Sequence, residues 1–518
     1  MRSLNVGWTC VLITILLFVS SDRLAAEDWP QFRGPNCTGV SRSKKALPLE
    51  FSATKNVRWS ALLGDGIGSP AVVAGRVFST AMADLNGKEP KLVVFAFDAA
   101  TGKKLWQREI SAGGKPLPAI DKVNSYASAS PAADAERVYI YFSRVGLLAF
   151  DAKTGADVWM LPLPEPFFIF DWGAGMSPVL YQDTLFFCQD DDVFPALYAV
   201  NKKTGKLLWK DDRSDMAASY SHPVICETPQ GPELVVAGTG KVLGYDLTTG
   251  NRKWAAELDC RNIKTTPISR DGVVYVSVSS TGISYQWRAT ADPEGTGKIT
   301  RASIKASRKD KGASIPEAFW KKFERGDLNK DGVLEGREID LAFLDPTNQG
   351  GLLDRESRRR AGNSNDWRKW DAELQTESSV QAVKGGGKGD VTKTHILWKQ
   401  KSKAPDGIAS PLLVDNHLLL LKSGGFANVM GLKKGERLAD QQRIGVSDSL
   451  LAQPVYGDGK IYVTGQNGKI VVLAPGLELK TLTTNDMGED CIATPAIADG
   501  RLYIRTRTKL FCVGATSP

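Results

Sequence analysis

The chain has 518 residues, 42% hydrophobic and 24% charged, with 66 Lys and Arg against 58 Asp and Glu for a formal net charge of +8. That composition supports a large packed core, and the charge is too mild for the length to point to nucleic acid. The three histidines, His222, His395 and His417, are too scattered for a histidine metal cluster, and the lack of CxxC spacing argues against zinc ribbons, thioredoxin-like chemistry and c-type haem.

In chain order, Arg2, an apolar run from Trp8 to Val19 and small residues ending at Ala25 and Ala26 form a secretory signal over residues 1–26. No later segment approaches the roughly 20 apolar residues of a membrane helix. The mature chain is therefore expected to be soluble, in the periplasm or outside the cell. Cys10 lies inside the apolar run, which argues against a lipid anchor at that position. Six cysteines remain (Cys37, Cys188, Cys226, Cys260, Cys491 and Cys512), and the sequence chooses none of their possible pairings. Residues 27–55 read as an N-terminal extension.

Beyond it the chain repeats. FDAATGKKLW at 97–106, FDAKTGADVW at 150–159, VNKKTGKLLW at 200–209 and YDLTTGNRKW at 245–254 each place Asp or Asn, two variable residues, Thr-Gly and a short strand ending in Trp. The Asp or Asn side chain is expected to cap a tight hairpin, the Gly to take the left-handed position, and the Trp to bury against a neighbouring unit. A second mark opens each unit: Pro70, Pro131, Pro178, Pro223, Pro267, Pro411, Pro454 and Pro495 follow Ser69, Ser130, Ser177, His222, Thr266, Ser410, Gln453 and Thr494 and lead into apolar strands. Most marks recur every 41 to 47 residues or so (about one four-stranded propeller blade). One gap exceeds the period by about 100 residues. Eight marks imply eight blades. The last blade, ending at LFCV (510–513), lacks its Trp strand, and the orphan NVRWSA at 56–61 is expected to supply it and close the ring. The fold class is therefore all-β, an eight-bladed β-propeller of four-stranded antiparallel blades occupying residues 56–280 and 378–518.

The Asp-x-x-Thr-Gly…Trp blades resemble the PQQ-like (quinoprotein dehydrogenase-like) β-propeller repeat family, and especially its non-enzymatic members of the BamB type. DWPQFRGPNCTGVS at 28–41 and GGKGDVTKTHILW at 386–398 are similar to stretches of exported PQQ-like propeller proteins. The resemblance implies a propeller fold and leaves the role open.

The extra segment, residues 281–377, falls between the second and third strands of blade five and is expected to overhang one mouth of the central channel as a small α-helical insertion. It contains DLNKDGVLEGRE at 327–338, which fits an EF-hand calcium loop. Asp327, Asn329 and Asp331 supply side-chain oxygens, Gly332 makes the sharp turn, Val333 offers its carbonyl, Glu335 acts through water, and Glu338 closes the loop as a bidentate ligand. Leu334 is expected to point into the core of a helix pair. DPEGTGKITRAS at 292–303 keeps Asp292, Glu294, Thr296, Gly297 and Ile299 in register but has Ser303 in place of the closing Glu, and reads as a degenerate first hand. Ile315, Phe319 and Phe323 carry helical spacing between the two. DPTNQGGLLDRE at 345–356 is a third echo that follows too closely to form a normal second pair; such a stretch is more often just a turn, and it is left unassigned. SRRRAGNSNDWRKW at 357–370 reads either as a docking patch for an anionic polymer or acidic partner, or more simply as a solvated helix face.

Three functional readings compete. The first is an exported calcium-binding scaffold whose partners are other envelope proteins or anionic polymers. The second is a PQQ-dependent dehydrogenase. The resemblance implies that such an enzyme carries an adjacent Cys-Cys pair and a set of acidic and amide calcium ligands on the blades. No two cysteines are adjacent here, and the EF-hand loop wraps its ion, so Ca²⁺ is the expected cofactor and PQQ is disfavoured. The third is a hydrolase or lyase using carboxylates such as Asp190, Asp191 and Asp192, for which an Asp-rich hairpin tip is the plainer explanation. No catalytic residue is assigned.

Overall fold

The computed structural model describes residues 27–514 apart from 86, 88, 114–116, 169–170, 214–215, 217–218, 259–262, 279–290, 293, 295, 309–314, 336–337, 340–341, 343–378 and 403–407. The expected signal sequence, Cys260 and the stretches at 345–356 and 357–370 lie outside the described residues.

Eight blades, each built on four antiparallel strands, follow one another in chain order, and among the described residues one separate two-stranded sheet lies outside them. Blade one shows why these sequences form blades. Its middle strands, Arg76–Ala83 and Lys91–Asp98, are buried along nearly their whole length, whereas its outer strand, Lys104–Ser111, buries only Trp106. Strands packed on both faces need continuous apolar runs, and an outer strand needs one anchor. The anchor is shared between blades. The indole N–H of Trp106 donates to Ala152 O at 3.1 Å in blade two, and Trp159, Trp209 and Trp398 repeat the bond onto Lys202, Leu247 and Leu432. The turn glycine of the next blade lies under each indole. At Gly155, with φ +70°, an added Cβ would stand 2.6 Å from Trp106. Each turn is held as its sequence requires: Asp98 Oδ1 accepts from Thr101 N and Thr101 Oγ1, both at 2.8 Å, and Asp151, Asn201 and Asp246 do the same.

Closure follows the expected strand exchange. Val57–Leu62 pairs antiparallel with Lys509–Gly514, Trp59 lying opposite Cys512, and completes blade eight. Trp59 then donates to Ala99 O at 3.1 Å in blade one, so the first strand bridges the two ends of the chain.

The N-terminal extension, for which the sequence offered no role, threads past the innermost strands. Trp29 exchanges two backbone bonds with Val72 (2.7 and 2.8 Å) in blade one, and Pro30 O accepts from Ala133 N in blade two. Gln31 Oε1 accepts from Leu180 N at 2.7 Å in blade three, and Asn36 clamps both backbone groups of Ile225 in blade four. Arg33 reaches Pro411 O at 2.6 Å in blade six, and Val40 bridges Tyr456 in blade seven. Six blades are thus tied from inside by one strap.

One junction breaks the repeat. Blade five has GGGKGD where blades one to four have the Asp/Asn-x-x-Thr-Gly turn, and Gly389–Asp390 adds a parallel fifth strand to the edge of blade four. Trp254 accordingly turns back to Glu233 Oε1 (2.9 Å) of its own blade, a fully buried carboxylate that also accepts Gly386 N at 2.9 Å. None of the five described cysteines is disulfide-bonded, and all five are buried.

Candidate functional site

The residues that precede the eight prolines converge at the inner end of the blades and form a closed circuit. Ser69 N donates to Ser130 Oγ (2.9 Å), Ser130 N to Ser177 Oγ (3.0 Å), Ser177 N to His222 Nε2 (3.2 Å) and His222 N to Thr266 Oγ1 (3.4 Å). Thr266 N then donates to Ser410 Oγ (2.9 Å), Ser410 N to Gln453 Oε1 (2.5 Å), Gln453 N to Thr494 Oγ1 (3.0 Å), and Thr494 N back to Ser69 Oγ (2.9 Å). Every blade passes one N–H to the side chain of the next. The proline after each donor has no N–H, so the residue before it supplies the bond. Because His222 Nε2 accepts, its proton sits on Nδ1, 3.1 Å from Thr266 Oγ1. Burial and the nearby Arg33 guanidinium push the His222 pKa down to about 3, so the ring is neutral in ordinary buffers. Phe32 of the strap stacks on this imidazole at 4.4 Å.

Seven of the eight ring residues line a cavity of about 400 Å³ whose wall includes Trp172, Tyr220 and Lys264. The wall is stiffened by backbone acceptors: Asn124 Nδ2 donates to Trp172 O and Ala174 O, and Tyr220 OH to Gly173 O.

The described part of the blade-five insertion packs against the same mouth. The short strands Lys298–Thr300 and Val333–Glu335 pair antiparallel, Ile299 opposite Leu334, and the helices Arg301–Ser307 and Glu317–Gly326 bury Ile304, Phe319, Trp320 and Phe323 around them. Phe167 and Val193 of blade three pack on this core, with Phe167 and Phe319 at 5.8 Å. Arg308 pairs with Asp171 at 2.9 Å, both nearly fully buried, and donates to Phe168 O at 3.4 Å. Phe168 in turn stacks on Tyr220 at 5.4 Å, which carries the contact into the cavity wall.

Within the loop at 327–338, Asp327 Oδ1 accepts Asp331 N (3.1 Å) and its Oδ2 accepts Gly332 N (3.0 Å), while Asp331 Oδ1 accepts Val333 N (2.8 Å). Asn329 Oδ1 also accepts Asp331 N at 3.1 Å, and Glu338 takes Leu328 N and Glu335 N on its two oxygens at 3.0 and 3.1 Å. Gly332 has φ +79°. Among the described residues no group of three or more His, Cys, Asp or Glu side chains is gathered as a metal site. Glu335 is paired with Lys298 at 2.8 Å. Asp292 accepts Thr296 N, Thr296 Oγ1 and Gly297 N at 2.7–2.8 Å, and Ser303 caps the next helix with Thr300.

The aspartates at 190–192 do lie in a hairpin loop, but two of them are interior groups rather than a solvated tip. Asp190 holds Arg213 through two bonds at 2.7 and 2.8 Å, with both side chains buried. Asp191 accepts Val193 N and Phe194 N, and burial pushes its pKa up to about 7. The sequence reading missed Arg213, Asp171, Arg308 and Arg33, since none carries a local motif and each finds its partner across the fold.

A family model described as "Outer membrane protein assembly factor BamB" matches residues 40–169 and 93–307, together more than half of the chain. The outer membrane protein assembly factor BamB of Yersinia pestis is 23% identical over 81% of this chain and 88% of its own length. The quinoprotein ethanol dehydrogenase of Pseudomonas aeruginosa is 28% identical, but over only 23% of this chain and 20% of its own. The solved quinohemoprotein alcohol dehydrogenase of Comamonas testosteroni covers 95% of this chain, and the match takes in 81% of that enzyme at a TM-score of 0.52 and 10% identity, a likeness of fold alone.

Proposed function

Because the chain belongs to the PQQ-like propeller family described as outer membrane protein assembly factor BamB, we propose that it is an exported binding or scaffold module for other envelope proteins, with calcium held by an EF-hand loop in its insertion. The observation that carries the scaffold reading is the extent of likeness: it runs through 88% of the Yersinia assembly factor and through only 20% of the ethanol dehydrogenase. The runner-up, a PQQ-dependent dehydrogenase, rests on that short match and on the shared fold. Calorimetric titration of the mature protein with PQQ, in calcium and in chelator, separates them. The scaffold reading expects no calcium-dependent heat of binding, and tight calcium-dependent binding would replace it with the enzyme.

The donor set supports calcium. Asp327, Asn329, Asp331, Glu335 and Glu338 with the Val333 carbonyl offer six oxygen-bearing groups to a hard cation. Asp327 and Asp331 accept loop N–H groups and so support the turn at Gly332, and Glu338 accepts Leu328 N from the start of the loop. The Ile299–Leu334 ladder couples this loop to the helix that ends at Arg308, so ordering the loop would steady the module on blade three and bias how it covers the cavity. Extracellular sites of this type have dissociation constants of roughly 10⁻⁴ to 10⁻³ M, which suits a structural ion outside the cytoplasm. Glu338→Gln is expected to weaken calcium binding at least tenfold while leaving the melting of the propeller in chelator unchanged; unaltered affinity would remove Glu338 from the ligand set.

A further inference from the structure

The ring at the cavity floor spends its acceptors on protein and keeps its donors. Ser69, Ser130, Ser177, Thr266, Ser410 and Thr494 each take one backbone N–H on their oxygen, and a hydroxyl so engaged still has its own O–H to give. All six residues are at least 97% buried, and in the bonds they make among the described residues each hydroxyl oxygen is the acceptor. Five of the six face the cavity. A buried donor without an acceptor is costly, and one ligand atom group that accepts several of them at once relieves the cost.

The charge beneath the floor selects the ligand. Arg33 is fully buried, its Nη2 is spent on Pro411 O, and its Nε and Nη1 have no acceptor. No carboxylate is ion-paired with it among the described residues, and the neighbouring Cys37 thiol is held protonated by burial, its pKa pushed up to about 12. The Arg33 cation, close enough to the ring to act on His222, favours an anion at the hydroxyl donors, while the wall carries one cation and one carboxylate, Lys264 and Asp121. Above the crown, Trp172 and Tyr220 offer aromatic faces, and the Lys264 ammonium lies 4.8 Å from the centre of the Trp172 ring. A cavity of about 400 Å³ is of small-molecule size.

We propose that this cup is a binding site for a small oxyanion-bearing ligand, its carboxylate or phosphate seated on the hydroxyl crown above Arg33 and its apolar body laid against Trp172 and Tyr220. The site is independent of the calcium loop. It takes any carboxylate or phosphate of suitable size, whether of a free metabolite or of the C-terminus of a bound peptide.

Calorimetry on the mature protein at fixed ionic strength tests it with benzoate, its neutral isostere benzamide, and inorganic phosphate. Benzoate is expected to bind at least tenfold more tightly than benzamide, and Arg33→Met to remove that preference. Thr494→Val, which deletes a crown hydroxyl while keeping the shape, should lower benzoate affinity at least fivefold, and Thr494→Ser should restore it, with thermal melts showing that each variant is folded. Equal binding of benzoate and benzamide, no heat from any of the three probes, or a benzoate isotherm indifferent to both Arg33→Met and Thr494→Val would overturn the proposal. A short peptide compared with its C-terminal amide then separates the two sources: a free small molecule predicts no difference, a bound chain terminus predicts loss on amidation.

Discussion

The channel ring and the inserted loop solve the same problem in opposite ways. Each turns polar side chains back onto backbone N–H groups. In the ring every acceptor is met by a backbone N–H from the next blade, so its geometry is complete from protein alone. In the loop the side-chain oxygens lean on backbone N–H groups that are largely exposed, and a lysine already occupies Glu335. Exposed bonds of that kind contribute little. The ring is therefore expected to hold its shape in any buffer, and the loop to depend on an ion for its order.

The comparison breaks first at closure. Deleting residues 57–62 removes the strand that joins blades eight and one, and should lower the melting temperature by more than about 10 °C, since the lost pairing exposes two strand edges and the Trp59 anchor. An unchanged melt would mean that the ring is not held shut by this exchange. Next in size is Arg213→Ala, which strands Asp190 in the interior and is expected to cost about 3–5 kcal/mol in chemical denaturation. A loss below about 1 kcal/mol, the range of an exposed pair, would contradict its burial.

Acid and base sharpen the picture of the ring. His222 has its folded pKa depressed to about 3, so the unfolded chain binds a proton first and stability falls as pH drops from about 6.5 toward 3. Asp191 has its folded pKa raised to about 7, so the folded chain holds the extra proton and stability falls as pH rises through the window from about 3.8 to 7. The two slopes oppose each other over most of that range. His222→Gln, which places in blade four the side chain that Gln453 already uses in blade seven, should leave stability declining with rising pH, and Asp191→Asn should leave it rising. Parallel pH profiles for the two variants would show that these groups do not titrate as buried. The smallest effect belongs to the loop: Lys298→Gln frees Glu335 and should tighten calcium binding by a factor of about two to three, consistent with an exposed ion pair. Weaker binding would mean that Lys298 supports the loop rather than competing in it.

Much of the propeller was legible because its signals are local and repeated. An Asp, a Thr-Gly and a Trp within ten residues specify a turn, a capped hairpin and an anchor, and the orphan NVRWSA announced the closure. The pre-proline marks were visible too, but their circuit was not, since it exists only when eight distant residues meet. The strap at 28–41 has no periodicity to read, and its meaning lies in six separate blades. Trp254 looked like its counterparts; GGGKGD in the following blade removed the turn it would have bonded, and a buried Glu233 took its place. Asp190 and Asp191 read as a polar tip because their partners, Arg213 and the surrounding core, are supplied by another strand and by burial, neither of which the local sequence shows.

Hydrogen exchange of the mature protein with and without calcium tests the central contrast most directly. The account predicts that calcium slows exchange at residues 327–335 and 298–300 and leaves the innermost strands, such as Ala71–Val73 and Ala496–Ala498, unchanged, and that Glu338→Gln abolishes the effect. Calcium protection that appears in the inner strands while the loop exchanges freely would contradict it.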